Sequence, residues 1–211
     1  SKTWNKIMFD KTLASVWYHE IDPWKIFKDS KYIKKPSQLT KNDVLIIWGG
    51  EDIGTQLYNE IPNSYAEQYK PSFRDLTELI FINKAIELNI PIVGVCRGAQ
   101  LLCVHQKGRL IQHVLNHCGK HKLYLSKENK LIDTNSYHHQ TMVPTEDAEI
   151  LAVSANKCDV GWTEHNKKVT VEVPEIVKWP KIRALGIQGH PEYSDAPQEF
   201  LYYTKQLILK L

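Results

Sequence analysis

The chain is 211 residues long and 42% hydrophobic, with a formal charge of +3, which suits one core and reads as a single domain over residues 1–211. So small a charge gives no reason to expect nucleic acid or another polyanion as partner. No apolar run approaches the roughly 18–20 residues of a membrane span, the first forty residues resemble no signal peptide, and the four cysteines show no disulfide or zinc-ribbon spacing, so the expected location is the cytoplasm and no membrane contact is expected.

The first forty residues interleave lysines with aromatics such as Trp4, Trp17 and Trp24, and with Asp10, Glu20, Asp22 and Asp29. The mixed charge reads as a solvated rim rather than a nucleic-acid-binding arm. A first strand is expected within Ala14–Ile21. Asp43–Trp48 is an apolar run closed by Gly49-Gly50, the pattern of a buried strand. From Phe73 to Leu88 a stripe of Leu76, Leu79, Ile80, Ile82, Ala85 and Ile86 predicts a helix. Asn89 and Pro91 end it and lead into a strand at Ile92–Val95. Ala99–Val104 predicts a helix apolar nearly all round, as for one packed centrally on a sheet. This alternation argues for an α/β fold with a doubly wound, mostly parallel central sheet and helices on both faces.

Residues 108–173 read differently. Short strands at Leu123–Leu125, Leu131–Asn135, Ile150–Ser154 and Val169–Val173 predict a small antiparallel excursion. Arg183–Gln188 predicts a returning strand, and Gln198–Leu209 a closing amphipathic helix.

The chemistry concentrates at two places. Pro91-Ile-Val-Gly-Val-Cys96-Arg-Gly-Ala-Gln100 puts a cysteine between strand and helix, with glycines two residues to either side. That is the chain logic of a nucleophile elbow, with the thiol at a helix N-terminus. Gly186-Ile-Gln-Gly-His190-Pro-Glu192 supplies an imidazole and a carboxylate after another apolar strand. Together Cys96, His190 and Glu192 make a nucleophile, base and orienting acid. Cys103 reads as plain core.

Of ten glycines, six fall at these strand ends, as Gly49-Gly50, Gly94 with Gly98, and Gly186 with Gly189. The Gly49-Gly50 amides, with the backbone N–H of Arg97, form either an oxyanion hole or an ordinary turn. Asn135-Ser-Tyr-His138-His139-Gln140 reads as a polar pocket lining. Neither this loop nor His113, His117, Cys118 and His121 matches a closed zinc pattern, so no metal is assigned.

These motifs resemble a class I (triad-type) glutamine amidotransferase domain, and within that superfamily the free-standing γ-glutamyl hydrolase, C26-like branch of cysteine peptidases. Ile47-Trp-Gly-Gly-Glu-Asp52, Gly94-Val-Cys-Arg-Gly-Ala-Gln100, Ser136-Tyr-His-His-Gln140 and Gly189-His-Pro-Glu192 fall in family order and spacing. Trp48 stands where the family commonly has proline. The resemblance implies a flavodoxin-like fold and a cysteine-dependent hydrolysis of glutamine or another γ-glutamyl amide through a Cys96 thioester. It implies an oxyanion hole at Gly50 and Arg97, and a glutamyl pocket at Gly49, Gln100, His138, His139 and Gln140. It requires no cofactor or metal for this half-reaction. The alternatives are a glutaminase passing ammonia to a separate synthetase subunit, and a non-catalytic binding protein that keeps the fold.

Overall fold

The computed structural model describes residues 9–17, 21–161 and 169–211. Trp4 and Glu20 lie outside them. Among the described residues, nine strands form one sheet, which has two contrasting halves.

The parallel half contains β1 (Phe9–Val16), β2 (Phe27–Ile33), β3 (Asp43–Ile47), β4 (Ile92–Val95) and the late strand Ala184–Ile187. Their order is β2-β1-β3-β4 and then that late strand, all parallel. This is the flavodoxin-like arrangement, in which the strand order reverses and opens a crevice at the carboxyl ends. β1 begins earlier than its expected place in Ala14–Ile21. Its first residues, among them the exposed Asp10 and the half-buried Lys11, carry charge that hides the strand pattern.

Between the halves of the chain come α1 (Phe73–Glu87) and α2 (Arg97–His105), and then β5 (Arg109–Ile111), β6 (His121–Leu125), β7 (Lys130–Thr134), β8 (Thr141–Val143) and β9 (Glu149–Ser154). β10 (Cys158–Asp159) and β11 (Thr170–Val171) pair with each other, followed by β12 (Pro174–Trp179), β13 (Ala184–Ile187) and α3 (Gln198–Ile208). The antiparallel excursion does not stand apart. β12, β9, β6 and β7 continue the sheet outward from β13 as antiparallel neighbours. β12 is the strand hardest to read, because it opens on proline, which a strand tolerates at its first residue.

Side chains alternate across the parallel strands. Leu45, Ile47 and Ile92 face one core with Phe81, Ile82 and Leu102 of α1 and α2. Val44, Ile46, Val93 and Val95 face another with Phe200 and Ile208 of α3. Helices therefore cover both faces, and Trp24 Nε1 ties the N-terminal region to α3 by donating to Thr204 Oγ1 at 2.9 Å.

The face that α1 buries differs from the apolar stripe expected for it. Asp75, Glu78, Phe81, Ile82 and Ala85 are buried, whereas Leu76 and Ile80 are 50% and 57% exposed. The helix is turned by its acids. Asp75 closes a reciprocal cap with Ser72, at 2.8 and 3.0 Å, and both Asp75 and Glu78 receive the guanidinium of Arg97. An internal cation makes burial of two carboxylates tolerable, and the helix rotates to reach it.

Candidate active site

β4 delivers Cys96 to the mouth of the sheet. The residue has φ 50° and ψ −109°, a sparsely populated conformation that costs a side-chain-bearing residue roughly 1–3 kcal/mol. α2 begins at the next residue. Close packing explains the flanking glycines: a methyl on Gly98 would run into the Ile47 carbonyl, and one on Gly94 would lie 2.5 Å from Gly98 backbone. The elbow therefore rests directly on β3 with no side chain between.

β13 delivers His190 beside it. The His190 ring stands beside Cys96, the two meeting around Gly49, and is bound through Nδ1 to Glu192 Oε1 at 2.8 Å. Burial by itself would lower the basicity of His190, but the bonds and charges of Cys96 and Glu192 outweigh it and raise the pKa to about 10. Gly49 fills the remaining corner. A methyl there would stand 2.8 Å from His190 Cε1 and 3.5 Å from Cys96 Cβ. Glycine is the residue that lets this turn approach both groups at once.

The Gly49-Gly50 turn is held from behind by a charged clamp that sequence reading missed. Arg74 Nη2 donates to the carbonyls of Trp48 (3.1 Å) and Gly49 (3.0 Å), while its Nε donates to Glu78 at 2.9 Å. The signal was present in the sequence. Asp75, Glu78, Ile82 and Ala85 fall on one helical face, and acids on a core-facing stripe point to a buried arginine.

Asn135 has a role more specific than pocket lining. Its Nδ2 donates to the His190 carbonyl and its Oδ1 accepts from the His190 N–H, both at 2.9 Å. Tyr193 stacks on the His190 ring at 4.3 Å, and Tyr137 meets it edge-on at 5.7 Å. Tyr137 in turn donates its hydroxyl to Asp195 at 2.7 Å.

The other expected pocket residues are held by partners within the protein. Gln100 Nε2 donates to the Gln140 carbonyl at 3.4 Å, and Gln140 Nε2 to Asp52 at 2.9 Å. His139 contacts Asp52 at 3.1 Å on one nitrogen and His113 at 3.1 Å on the other. His138 is buried, turned toward Glu175 and His117. Cys103 lies within the core, where burial pushes its thiol up to about 12. A cavity of about 720 Å³ lies between residues 59–63 and β5, lined in part by Arg109 and Gln112, but neither Cys96 nor His190 borders it.

Among the described residues, no helix is long and apolar enough to cross a membrane. Known proteins place this geometry in context. The sequence profile described as Peptidase C26 matches residues 25–192. The γ-glutamyl-CDP-amidate hydrolase of Campylobacter jejuni is 32% identical over 138 residues, covering 65% of this chain and 57% of that protein. The glutamine amidotransferase-like protein YvdE of Lactococcus lactis is 36% identical over 124 residues, or 49% of this chain and 52% of its own length. The chain thus spans little more than half the length of these two relatives. Among solved structures, PurLQS from Thermotoga maritima superposes with a TM-score of 0.62 at 16% identity, covering 95% of this chain and 98% of the other.

Proposed function

The chain belongs to the peptidase C26 family, and from that premise we propose that it hydrolyses the side-chain amide of glutamine or of a γ-glutamyl amide through a Cys96 thioester. The observation that carries the reading is the contact chain Cys96–His190–Glu192 at a strained strand end. The likeness to a γ-glutamyl-CDP-amidate hydrolase supports the substrate class.

In this mechanism Cys96 Sγ attacks the amide carbon. The oxyanion is received by the backbone N–H groups of Gly50 and Arg97. The Arg74 clamp supports the first of these: with the Gly49 carbonyl held by Arg74, the trans peptide directs the Gly50 N–H to the opposite side. His190, still protonated at neutral pH with a pKa near 10, donates its proton to the departing nitrogen. The neutral imidazole then takes a proton from water, which attacks the thioester and releases glutamate. Glu192 holds the ring in register and stabilises its charged form. Gln100 and the His138–Gln140 loop close the glutamyl pocket, with Gln100 Nε2, His138 Nδ1 and Gln140 Nε2 already engaged within the protein.

A second reading is a glutaminase that passes ammonia to a separate synthetase. The exposed apolar face of α1, with Phe73 at 78% beside Leu76 and Ile80, favours it, since such a face suits a partner.

The test is incubation with glutamine and a panel of γ-glutamyl amides, following glutamate, ammonia and amine, with Cys96→Ala as control. Turnover of γ-glutamyl amides supports the hydrolase, and turnover of glutamine stimulated by a synthetase supports the second reading. A thioester trapped on Cys103 or Cys118 instead of Cys96 would sink the mechanism, and no turnover with any substrate would leave a binding protein.

A further inference from the structure

Behind the loop that carries Asn135, three imidazoles converge on one buried carboxylate. Glu175, from β12, is 1% exposed. Its Oε1 lies 2.7 Å from His117 Nε2 and 3.1 Å from His121 Nε2. Its Oε2 lies 3.6 Å from His138 Nε2, too long for a hydrogen bond. Among the described residues, neither of those last two atoms has a hydrogen-bond partner.

The second nitrogens decide what the cluster is for. His138 Nδ1 is 2.9 Å from the Gln140 carbonyl, which can only accept, so Nδ1 carries the hydrogen. A neutral His138 therefore turns the lone pair of Nε2 toward a carboxylate oxygen. Two acceptors facing each other in a buried site need a cation between them. His117 Nδ1 is likewise engaged, 3.2 Å from Cys158 Sγ. A ring held by one nitrogen and presenting the other is the arrangement that outer partners impose on metal-binding histidines.

Distances agree. The ligand atoms of His117, His121 and Glu175 all lie within 4.8 Å of one another. Ligand atoms at one tetrahedral zinc stand about 3.3 Å apart, so the Oε1 contacts must open by only a few tenths of an ångström. His138 Nε2 stands 3.6 Å from Oε2, the carboxylate oxygen that the other two imidazoles leave open. His121, whose side chain is 17% exposed, lies on the solvent side and gives an ion a way in.

We propose that His117, His121, His138 and Glu175 form a binding site for a zinc-class divalent cation that braces the sheet behind the candidate active site. Imidazole donors favour a borderline transition ion over magnesium or calcium. The ion would join the loop before β6, the first residue of β6, the β7–β8 loop and β12. Two of these reach the candidate site: Asn135 of the β7–β8 loop grips His190, and the Glu175 carbonyl accepts from Gln188 N–H at 2.8 Å. The role assigned is structural, and it stands independently of the proposed hydrolysis.

The purified chain, stripped with chelator and titrated with zinc or cobalt, is the test. We expect about one ion per chain, a tetrahedral cobalt(II) visible spectrum and a rise in melting temperature with added zinc. Glu175→Gln should abolish the spectrum, and His121→Gln should weaken binding by at least about 10- to 100-fold, the loss that removing even an outer partner of a ligand causes. His105→Gln, outside the cluster, should retain the ion. His121 is at the solvent edge, so its variant keeps the test informative if Glu175→Gln fails to fold, folding being checked by circular dichroism. Wild-type protein that is folded but takes up no ion overturns the proposal and leaves a protonated His138 as the buried cation. Equal binding by folded wild type and His121→Gln overturns it too, as does loss of the ion in His105→Gln.

Discussion

Asn135 grips the backbone of His190 with two hydrogen bonds of 2.9 Å, one to its N–H and one to its carbonyl. The contact joins the antiparallel half of the sheet to the end of β13, and so sets where the imidazole stands relative to Cys96. Asn135→Ala should therefore lower kcat by about 10- to 100-fold with a smaller change in KM, because misplacing a catalytic group by about 1 Å has that scale of effect. Steady-state kinetics on the best γ-glutamyl amide checks it. An unchanged kcat would mean that Pro191 and Tyr193 hold His190 without help.

Arg74 acts one layer further out. Its substitution by methionine keeps the bulk of the stem but releases the carbonyls of Trp48 and Gly49. kcat should fall by about 10-fold, less than the 10²–10³ for deleting an oxyanion donor itself, while KM moves little. A loss confined to KM would place the clamp in substrate binding instead.

Arg97 supports stability rather than turnover through its side chain. Arg97→Met leaves Asp75 buried without its guanidinium and Glu78 with Arg74 alone. Removing one partner of a buried ion pair costs about 3–5 kcal/mol, readable as a lower urea midpoint at unchanged slope. The loss should shrink in the double variant with Asp75→Asn, which removes the stranded charge.

Cys96 holds backbone strain at the strand end. Both Cys96→Ala and Cys96→Gly delete the thiol, but only glycine accepts φ 50° without a Cβ penalty. The glycine variant should melt about 2–4 °C above the alanine variant, as for roughly 1 kcal/mol in a chain of this size. Calorimetry on the pair decides it, and equal melting would show that the strain is relieved elsewhere.

The pH dependence follows from His190. Its pKa rises from 6.5 to about 10 in the folded chain, so the folded state holds its proton more tightly than the unfolded one. The resulting stability is complete below pH 6.5 and is lost as pH climbs through about 10. Unfolding of wild type and His190→Gln across that window should show the difference between them shrinking with rising pH. A constant difference would mean that the imidazole gains no proton affinity on folding.

Much of the candidate site was legible because its signals are local. A cysteine bracketed by glycines and a histidine two residues before an acid are short-range patterns, and the elbow, β4, β13 and α3 appear where those patterns place them. The charged clamp was less legible. The apolar residues of α1 suggested that Leu76 and Ile80 faced the core, and only the position of Arg97, twenty-two residues beyond Asp75, explains why the helix turns its acids inward. β12 was hidden for a related reason. It opens on proline and carries Glu175 inward, so its start does not look like a buried strand.

By itself, then, the sequence determined the α/β alternation, the strand-end glycines and the chemical identity of Cys96, His190 and Glu192, all properties of neighbouring residues. Tertiary structure alone decided which distant groups meet. It joined Asn135 to His190, Arg97 to Asp75 and Glu78, and His117, His121 and His138 to Glu175. The reason is physical: burying a polar group is costly unless a partner meets it, and that partner is chosen by the packing of the sheet, not by nearness along the chain.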